Sequence, residues 1–264
     1  MTRPSAFTLV SMAALMLTLT FLALPIVAIF TDVAPRDLIA SLDDPAALDA
    51  LRLSLLTSGL ALSIIVLVGT PAAWLLATRR FRGRALATTL VELPLVVPPA
   101  AAGIGLLAAF GPLGVVGSQL DAAGIRLVLE TAGVVAALTF VASPFYLRQA
   151  QAGFAAVDPR LLDASRTLGA SELMTFLRVG VPASRAALSA GAALAWGRAL
   201  GEFGATLLFA GSLRGVTQTA PLAIYERFGT DFTGALALSA VLVLLAATIL
   251  VAVRLATPEA DAER

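Results

Sequence analysis

Long apolar runs alternate with short polar segments along the whole chain. Spanning a bilayer as a helix takes about 20 mostly apolar residues. Six stretches meet that requirement, at residues 6–30, 53–77, 85–110, 131–146, 186–210 and 232–253. The pattern therefore predicts an all-α, polytopic membrane protein with about six transmembrane helices.

We expect one transmembrane domain over residues 1–264. Residues 1–50 would form an N-terminal anchor helix and an external loop, residues 51–254 the core, and residues 255–264 a polar tail. The first apolar run is longer than the roughly 7–15-residue core of a signal peptide, which favours an anchor. A cleaved signal peptide is the alternative for residues 1–30.

Arginine is concentrated in every second polar segment. Cytoplasmic loops of membrane proteins carry an excess of positive residues. Four Arg lie at 79–84 without an acid, and five more lie between the fourth and fifth apolar stretches. The segments on the other side are rich in acids, as at Asp43, Asp44 and Asp49. The asymmetry predicts that both termini are cytoplasmic, and we interpret the 79–84 cluster as a topology signal.

Composition supports a membrane protein and narrows its function. The chain is 59% hydrophobic and 13% charged, with a mean hydropathy of +0.93, whereas soluble domains are about half apolar and a quarter charged. It contains no Cys, no His and no Lys, which excludes Cys/His metal sites, His-ligated haem and the Lys-bearing P-loop of ATPases. We therefore expect no cofactor and no ATPase activity in this chain. A net charge of +1 gives no reason to expect nucleic acid.

The polar segment 163–182 carries a spaced motif. It reads D-A-S, three residues, G, nine residues, V, one residue, V-P, with the motif positions at Asp163, Ala164, Ser165, Gly169, Val179 and Pro182. This spacing resembles the EAA loop of ABC-importer membrane subunits, with Asp163 in place of Glu and Ser165 in place of Ala. The resemblance implies that the segment docks a separate ATPase, whereas a merely amphipathic interfacial loop is the simpler alternative.

Helix signals surround this motif. Asp158 suits an N-cap, Pro159 the first helical position and Gly169 a left-handed C′ position. A second start follows at Ser171, and we expect that helix to stop before Pro182. Two short helices joined at a glycine are predicted.

The fifth apolar stretch contains two opposite charges. Arg198 and Glu202 are four residues apart, so they share one helix face and can pair. Charges inside a bilayer normally face protein or water. The pair could line or gate a polar path, or it could lock the bundle together, and the sequence leaves both open. Small residues recur beside it and allow close helix packing, at Ala187, Gly191, Ala195, Ala199, Gly197, Gly201 and Ala205.

The third apolar stretch is interrupted by proline. Pro94, Pro98 and Pro99 lie inside it, and proline removes a backbone donor and kinks a helix. A membrane protein tolerates this where neighbours or a water-filled cavity satisfy the freed groups. Pro98 and Pro99 are therefore candidates for a broken helix on a pathway, with a packing kink as the alternative. Glu92 could reach the membrane interface.

Three strings sharpen the resemblance. RALGEFGA, at 198–205, resembles the fifth span of molybdate/tungstate and sulfate/thiosulfate ABC permeases. Residues 93–107 resemble the third span of the molybdate group, and residues 217–225 its last external loop, which adds Thr217 and Thr219 to the pathway candidates. The resemblance implies a pore-forming permease subunit of an ATP-driven importer for molybdate or tungstate.

The same resemblance implies the surroundings of the chain. It would be a multi-pass protein of a prokaryotic plasma (inner) membrane, in contact with lipid. Two copies would form the pore, an ABC ATPase dimer would dock on their loops, and an extracytoplasmic oxyanion-binding protein would deliver the substrate.

Two other readings of the sequence are kept. A sulfate/thiosulfate permease shares the same motifs. An ion-coupled secondary carrier would need a carboxylate for its coupling ion, and the candidates are Glu92 and Glu202. A membrane enzyme is disfavoured, because the chain lacks His and Cys for a nucleophile–base pair.

Overall fold

The computed structural model describes residues 5–256, which fold into helices without any strand in that range. The predicted tail lies outside the described residues from residue 257 onward. The elements are α1 Ala6–Thr31, α2 Pro35–Asp43, α3 Pro45–Thr78, α4 Arg84–Val96, α5 Pro99–Phe110, α6 Gly117–Ala122, α7 Thr131–Ala155, α8 Pro159–Thr167, α9 Glu172–Thr175, the π-helical turn π1 Phe176–Gly180, α10 Val181–Ala183, α11 Arg185–Leu200, α12 Gly204–Ala210, α13 Ala220–Phe228 and α14 Phe232–Ala256.

Four of the six predicted spans are continuous helices. Within the described residues, α1, α3, α7 and α14 are each long and apolar enough to cross a membrane. The all-α polytopic architecture is therefore confirmed. The fourth span, the shortest by its apolar run, is the 25-residue helix α7.

The third predicted span is broken and not continuous. Its two halves, α4 and α5, meet at an angle of 119°. The break falls at Val97 and Pro98, and Pro99 begins α5. Because neither proline has an N–H to donate, the helical hydrogen-bond ladder cannot run through this point. Pro94 lies inside α4 and does not end it.

The fifth predicted span is also interrupted. α11 ends at Leu200, and the seven-residue helix α12 begins at Gly204. The prediction of one continuous helix over 186–210 is therefore wrong at residues 201–203. If the bent α4–α5 pair counts as one span, the described residues hold up to five helical spans of sufficient length and hydropathy.

The centre of the bundle is formed by α7, which packs against both α3 and α11. On α11 the small residues Gly191, Ala195 and Ala199 are buried. A Cβ on Gly191 would lie 3.0 Å from Cβ of Gln149 on α7. The predicted close approach along this ridge is confirmed, whereas Gly197 and Gly201 are exposed.

Two ends of the bundle can be told apart by charge. The arginine end comprises residues 79–84 and 158–183, and the acidic end comprises residues 32–49 and 211–231. The 34 residues of α3 connect the two ends. Outside them, α1 packs chiefly against α14 and exposes apolar side chains along its whole length.

Candidate functional site

The two helix breaks lie against each other. α5, which begins after the proline break, packs along α12, which begins after the 201–203 break. A Cβ on Gly103 would lie 2.8 Å from the Ala205 carbonyl oxygen, and one on Gly204 would lie 2.9 Å from Cβ of Pro99. Only glycine permits this approach. Tertiary packing thus brings Pro98 and Pro99 near the Arg198–Glu202 pair.

Glu202 lies within the break, and its side chain binds the first turn of α12. Its side chain is 1% exposed, and its Oε1 accepts a hydrogen bond of 2.8 Å from the Ala205 amide. Its Oε2 lies 2.6 Å from Nη2 of Arg198. The carboxylate therefore satisfies a free amide at a helix N-terminus and neutralises the neighbouring guanidinium.

Arg198 is the member of the pair that reaches open space. Its side chain is 28% exposed and borders a cavity of about 530 Å³ between α7, α11 and α14. The rest of the lining is apolar, including Phe145, Leu194 and Leu250. Among the described residues, Arg198 has the one charged side chain in the lining of this cavity, which makes it the stronger pathway candidate of the two.

The two threonine candidates lie in the interior of the acidic end. Oγ1 of Thr217 accepts a 2.8 Å hydrogen bond from the Leu213 amide and closes the loop between α12 and α13. Thr219 is buried, and its hydroxyl has no hydrogen-bond partner among the described residues. Neither side chain borders the Arg198 cavity.

The sequence did not predict an aromatic pair that lies beside the break. Phe203, in the break, packs against Tyr225 of α13 with ring centroids 4.9 Å apart. Tyr225 is 63% exposed. Its position within the string 217–225 was a signal, but its contact with Phe203 depends on how α13 folds back.

Loop 158–183, at the arginine end, begins as predicted. Oδ1 of Asp158 accepts from the Arg160 amide at 2.9 Å and caps α8. Gly169 has φ +84°, and the Ala170 amide donates to Ser165 O while the Gly169 amide donates to Arg166 O. This is a Schellman ending, which requires a left-handed residue at the position of Gly169. Ser171 caps the next helix, as predicted.

The second half of the loop departs from prediction. The helix that starts after Ser171 does not stop before Pro182; it continues as the wide turn π1 into α10, where Pro182 lies in the first turn. Proline has no N–H to donate, so the backbone ladder has no bond from residue 182, and α10 ends one residue later at Ala183. Oγ of Ser165 lies 3.0 Å from Oγ1 of Thr175, which joins α8 to α9. Val179 packs against the central core.

A charge network covers the loop. The guanidinium of Arg166 contacts Asp163 Oδ1 and Glu172 Oε1, each at 3.0 Å. Glu172 Oε1 also lies 3.0 Å from Nη2 of Arg79. The hydrogen bond from Arg166 lowers the pKa of Glu172 below its usual value, and the same bond raises the pKa of Arg166. Glu92 is paired as well, 3.4 Å from Nε of Arg148.

The outer surface of the loop is apolar beside these charges. Leu168 is 87% exposed. Four further large apolar side chains of the loop are 41–66% exposed: Leu161, Leu173, Met174 and Leu177. Asp163 and Ala164 are exposed on the same segment. Large exposed apolar side chains in a polar loop make this surface a candidate interaction site.

The described residues form an apolar helical bundle of a membrane protein, with two abutting helix breaks and an exposed loop at one end. The family whose sequence profile matches residues 66–257 is the binding-protein-dependent transport system inner membrane component. The chain belongs to this family and is an integral inner-membrane permease subunit. The family resemblance inferred from the sequence is confirmed.

Several transport system permeases are similar to this chain in sequence. The molybdenum transport system permease protein ModB of Mycobacterium tuberculosis is 43% identical over 244 residues, 91% of each chain. The molybdate/tungstate transport system permease protein WtpB of Pyrococcus abyssi is 37% identical over 195 residues, 73% of each chain. A sulfate transport permease, CysW of Synechocystis, matches at 32% identity.

A solved structure has the same fold. A bacterial ABC transporter involved in the import of the acidic polysaccharide alginate aligns over 95% of this chain and 94% of its own, with a TM-score of 0.76. The identity is 17%, so the likeness concerns the fold alone.

Proposed function

We propose that this chain is the pore-forming permease of an ATP-driven importer for molybdate or tungstate. The observation that carries the proposal is the 43% identity to a molybdenum permease over 91% of both chains. Residues 198–205, which resemble the fifth span of oxyanion permeases, contain the Arg198–Glu202 pair, and its arginine agrees with an anionic substrate. Sulfate is the second candidate substrate, because a sulfate permease also matches this chain, although at a lower identity of 32%.

ATP is hydrolysed, in this proposal, by a partner that docks on loop 158–183. The loop offers the surface for it, because five large apolar side chains and Asp163 are exposed there. ATP would bind one of two conformations of the transporter more tightly than the other. Its binding would therefore shift the equilibrium between them and move the loop. The arginine end is then cytoplasmic, both termini lie inside, and a binding protein approaches the acidic end.

Two copies of the chain would enclose the pathway. Arg198 would face the passing anion, while Glu202 holds the helix break and keeps Arg198 in place. A secondary carrier is less well supported, since Glu92 and Glu202 are both engaged by arginines and neither is free for a coupling ion.

Uptake in proteoliposomes tests the proposal. The permease, co-purified with its ATPase, is reconstituted with the binding protein, and radiolabelled molybdate is followed with and without ATP. We expect ATP-dependent uptake that excess tungstate inhibits and excess sulfate does not. Inhibition by sulfate alone would assign the chain to sulfate, and uptake driven by an ion gradient without the ATPase would overturn the class.

A further inference from the structure

Helix α3 touches loop 158–183 although it is far from the loop in sequence. Its 34 residues span about 50 Å at 1.5 Å per residue. The loop itself is joined covalently to α7 and α11, so a displacement of the loop has an obvious route through those helices. The contacts of α3 with the loop provide a second route.

The first contact is the ion pair between Arg79 and Glu172. Arg79 directly follows α3, and its amide donates to Leu75 O at 3.0 Å, so it lies on the C-terminal turn. Glu172 is the first residue of α9. Arg80 and Arg82, in the same cluster, make no ion pair with any residue in the range 5–256. Arg79 therefore makes a specific structural contact in addition to the topology role predicted from the sequence.

The second contact is aromatic. Trp74 of α3 lies 5.5 Å from Phe176 of π1 and 5.2 Å from Phe154 of α7, measured between ring centroids. Gly180, at the end of π1, lies so close to the ring of Trp74 that a Cβ would be 2.5 Å from Cζ3. The cytoplasmic quarter of α3 is therefore held by both halves of the loop, Glu172 and residues 176–180.

At the acidic end, α3 is fastened to α13 at two points. Asp44 caps α3, accepting from the Ala46 amide at 2.8 Å, and also pairs with Arg227 in the last turn of α13. Nearly three turns further along α3, Oγ of Ser54 accepts from the Ala220 amide at 2.7 Å, at the start of α13. Both ends of α13 thus rest on α3.

α13 in turn reaches the broken helix. Tyr225 packs on Phe203, next to the buried Glu202. A displacement of α3 along its axis would move α13 and change the Phe203–Tyr225 contact beside the proposed pathway.

We propose that α3 transmits the movement of loop 158–183 to α13, with Arg79 and Glu172 as positioning residues at one end and Asp44 and Arg227 at the other. The proposal rests on the proposed function, because it assumes that a nucleotide-driven partner moves the loop. It adds a specific route: Arg79 acts through Glu172 and contacts neither substrate nor nucleotide.

This chain contains no cysteine, so an introduced cysteine is its single labelling site, read on the separated permease band. Thr230→Cys, just beyond α13, is labelled from outside with a membrane-impermeant maleimide in proteoliposomes of the whole importer. The labelling rate is compared without nucleotide and with ATP plus vanadate. The backgrounds are wild type, Arg79→Ala, Arg79→Lys, Asp44→Asn and, as matched control, Arg80→Ala. Asn retains the N-cap of α3 but removes the charge that Arg227 contacts.

We expect a nucleotide-dependent rate change in wild type, in Arg79→Lys and in Arg80→Ala. Arg79→Ala and Asp44→Asn should reduce this change, and molybdate uptake per ATP, by about fivefold or more, the lower range of allosteric coupling. Because the two contacts act in series, the double variant should be no worse than either single variant.

The proposal is overturned if Arg79→Ala behaves like Arg80→Ala, or if residue 230 of the wild-type importer shows no nucleotide-dependent change. Either result would mean that the movement of the loop passes through α7 and α11 and not through α3. Failure of the proposed function is seen separately, as the absence of ATP-dependent molybdate uptake by the wild-type importer.

Discussion

Two glycines in loop 158–183 are required for different physical reasons. Gly169 has a left-handed backbone with open space where a Cβ would lie, whereas Gly180 is helical and faces Trp74. The sequence indicated Gly169, because a C′ glycine after a capped helix is a local pattern. Gly180 depends on a residue about a hundred positions away and carries no local signal.

Alanine at each glycine separates backbone strain from steric overlap. Gly169→Ala should destabilise by about 1 kcal/mol, the cost of a left-handed L-residue. Gly180→Ala should cost about 1–3 kcal/mol, because the methyl group overpacks Trp74. Thermal unfolding in detergent, followed by the fluorescence of Trp74 and Trp196, measures both. Gly59→Ala in α3, with a helical backbone and free space, is the control and should not destabilise; equal losses at all three positions would contradict this explanation.

Glu202 combines a cap and an ion pair, and two variants distinguish them. Glu202→Gln retains an oxygen for the Ala205 amide but loses the charge, whereas Glu202→Ala loses both. We expect Glu202→Ala to be less stable than Glu202→Gln by about 1 kcal/mol, the usual value of a cap, in the same unfolding assay. Equal stability of the two variants would show that the cap contributes nothing.

At the scale of elements, short helices are held in place by charge. α8 and α9 have nine and four residues, too few to be stable alone. The Ser165–Thr175 contact and the Arg166–Glu172–Arg79 network hold them against α3. Such exposed ion pairs contribute about 0.2–1 kcal/mol each, so their effect lies more in position than in stability.

The network should persist through the physiological pH range. The pKa of Glu172 is lowered in the folded protein from about 4.5, so its stabilisation is present above that value and is lost as the pH falls through the lower folded pKa. The unfolding temperature of Glu172→Gln should therefore lie below that of wild type by a constant amount above pH 5. The difference should vanish at lower pH. Glu130→Gln, at an exposed acid without an ion pair in residues 5–256, is the control.

At the other end of α3, the pKa of Asp44 is shifted in the same direction as that of Glu172. Burial alone would raise the pKa of Asp44, but the Ala46 amide and the Arg227 guanidinium together lower it below its usual value. The contact between α3 and α13 is therefore complete at neutral pH. It weakens only as the pH falls through the lowered pKa of Asp44.

At the scale of the whole molecule, the exposed apolar side chains of loop 158–183 form the proposed docking surface for the ATPase. Leu168→Asp places a charge in the centre of a surface that would be desolvated on docking. We expect the ATPase to co-purify with this variant at about a tenth or less of its wild-type amount, which corresponds to a loss of about 1.4 kcal/mol in binding. Leu213→Asp, at an exposed leucine of the acidic end, should retain the ATPase. Normal co-purification with Leu168→Asp would place the docking surface elsewhere.

The sequence by itself determined the membrane class, the small-residue ridge of α11, the Asp158 and Ser171 caps and the left-handed Gly169. Each follows from composition or from residues within one or two turns, so no distant contact is needed to predict it. The family could also be predicted from the sequence, since its motifs are short strings or have fixed spacing within 20 residues.

Only the tertiary structure decided where the long apolar stretches break and what the charges contact. The break at 201–203 needs Gly103 and Pro99 of α5 alongside, and the partners of Arg79 and Asp44 lie 93 and 183 positions away. Hydropathy sums apolar character over a window and is insensitive to such contacts. Close packing of small residues and pairing of charges are properties of neighbours in space, and those neighbours exist only once the bundle has formed.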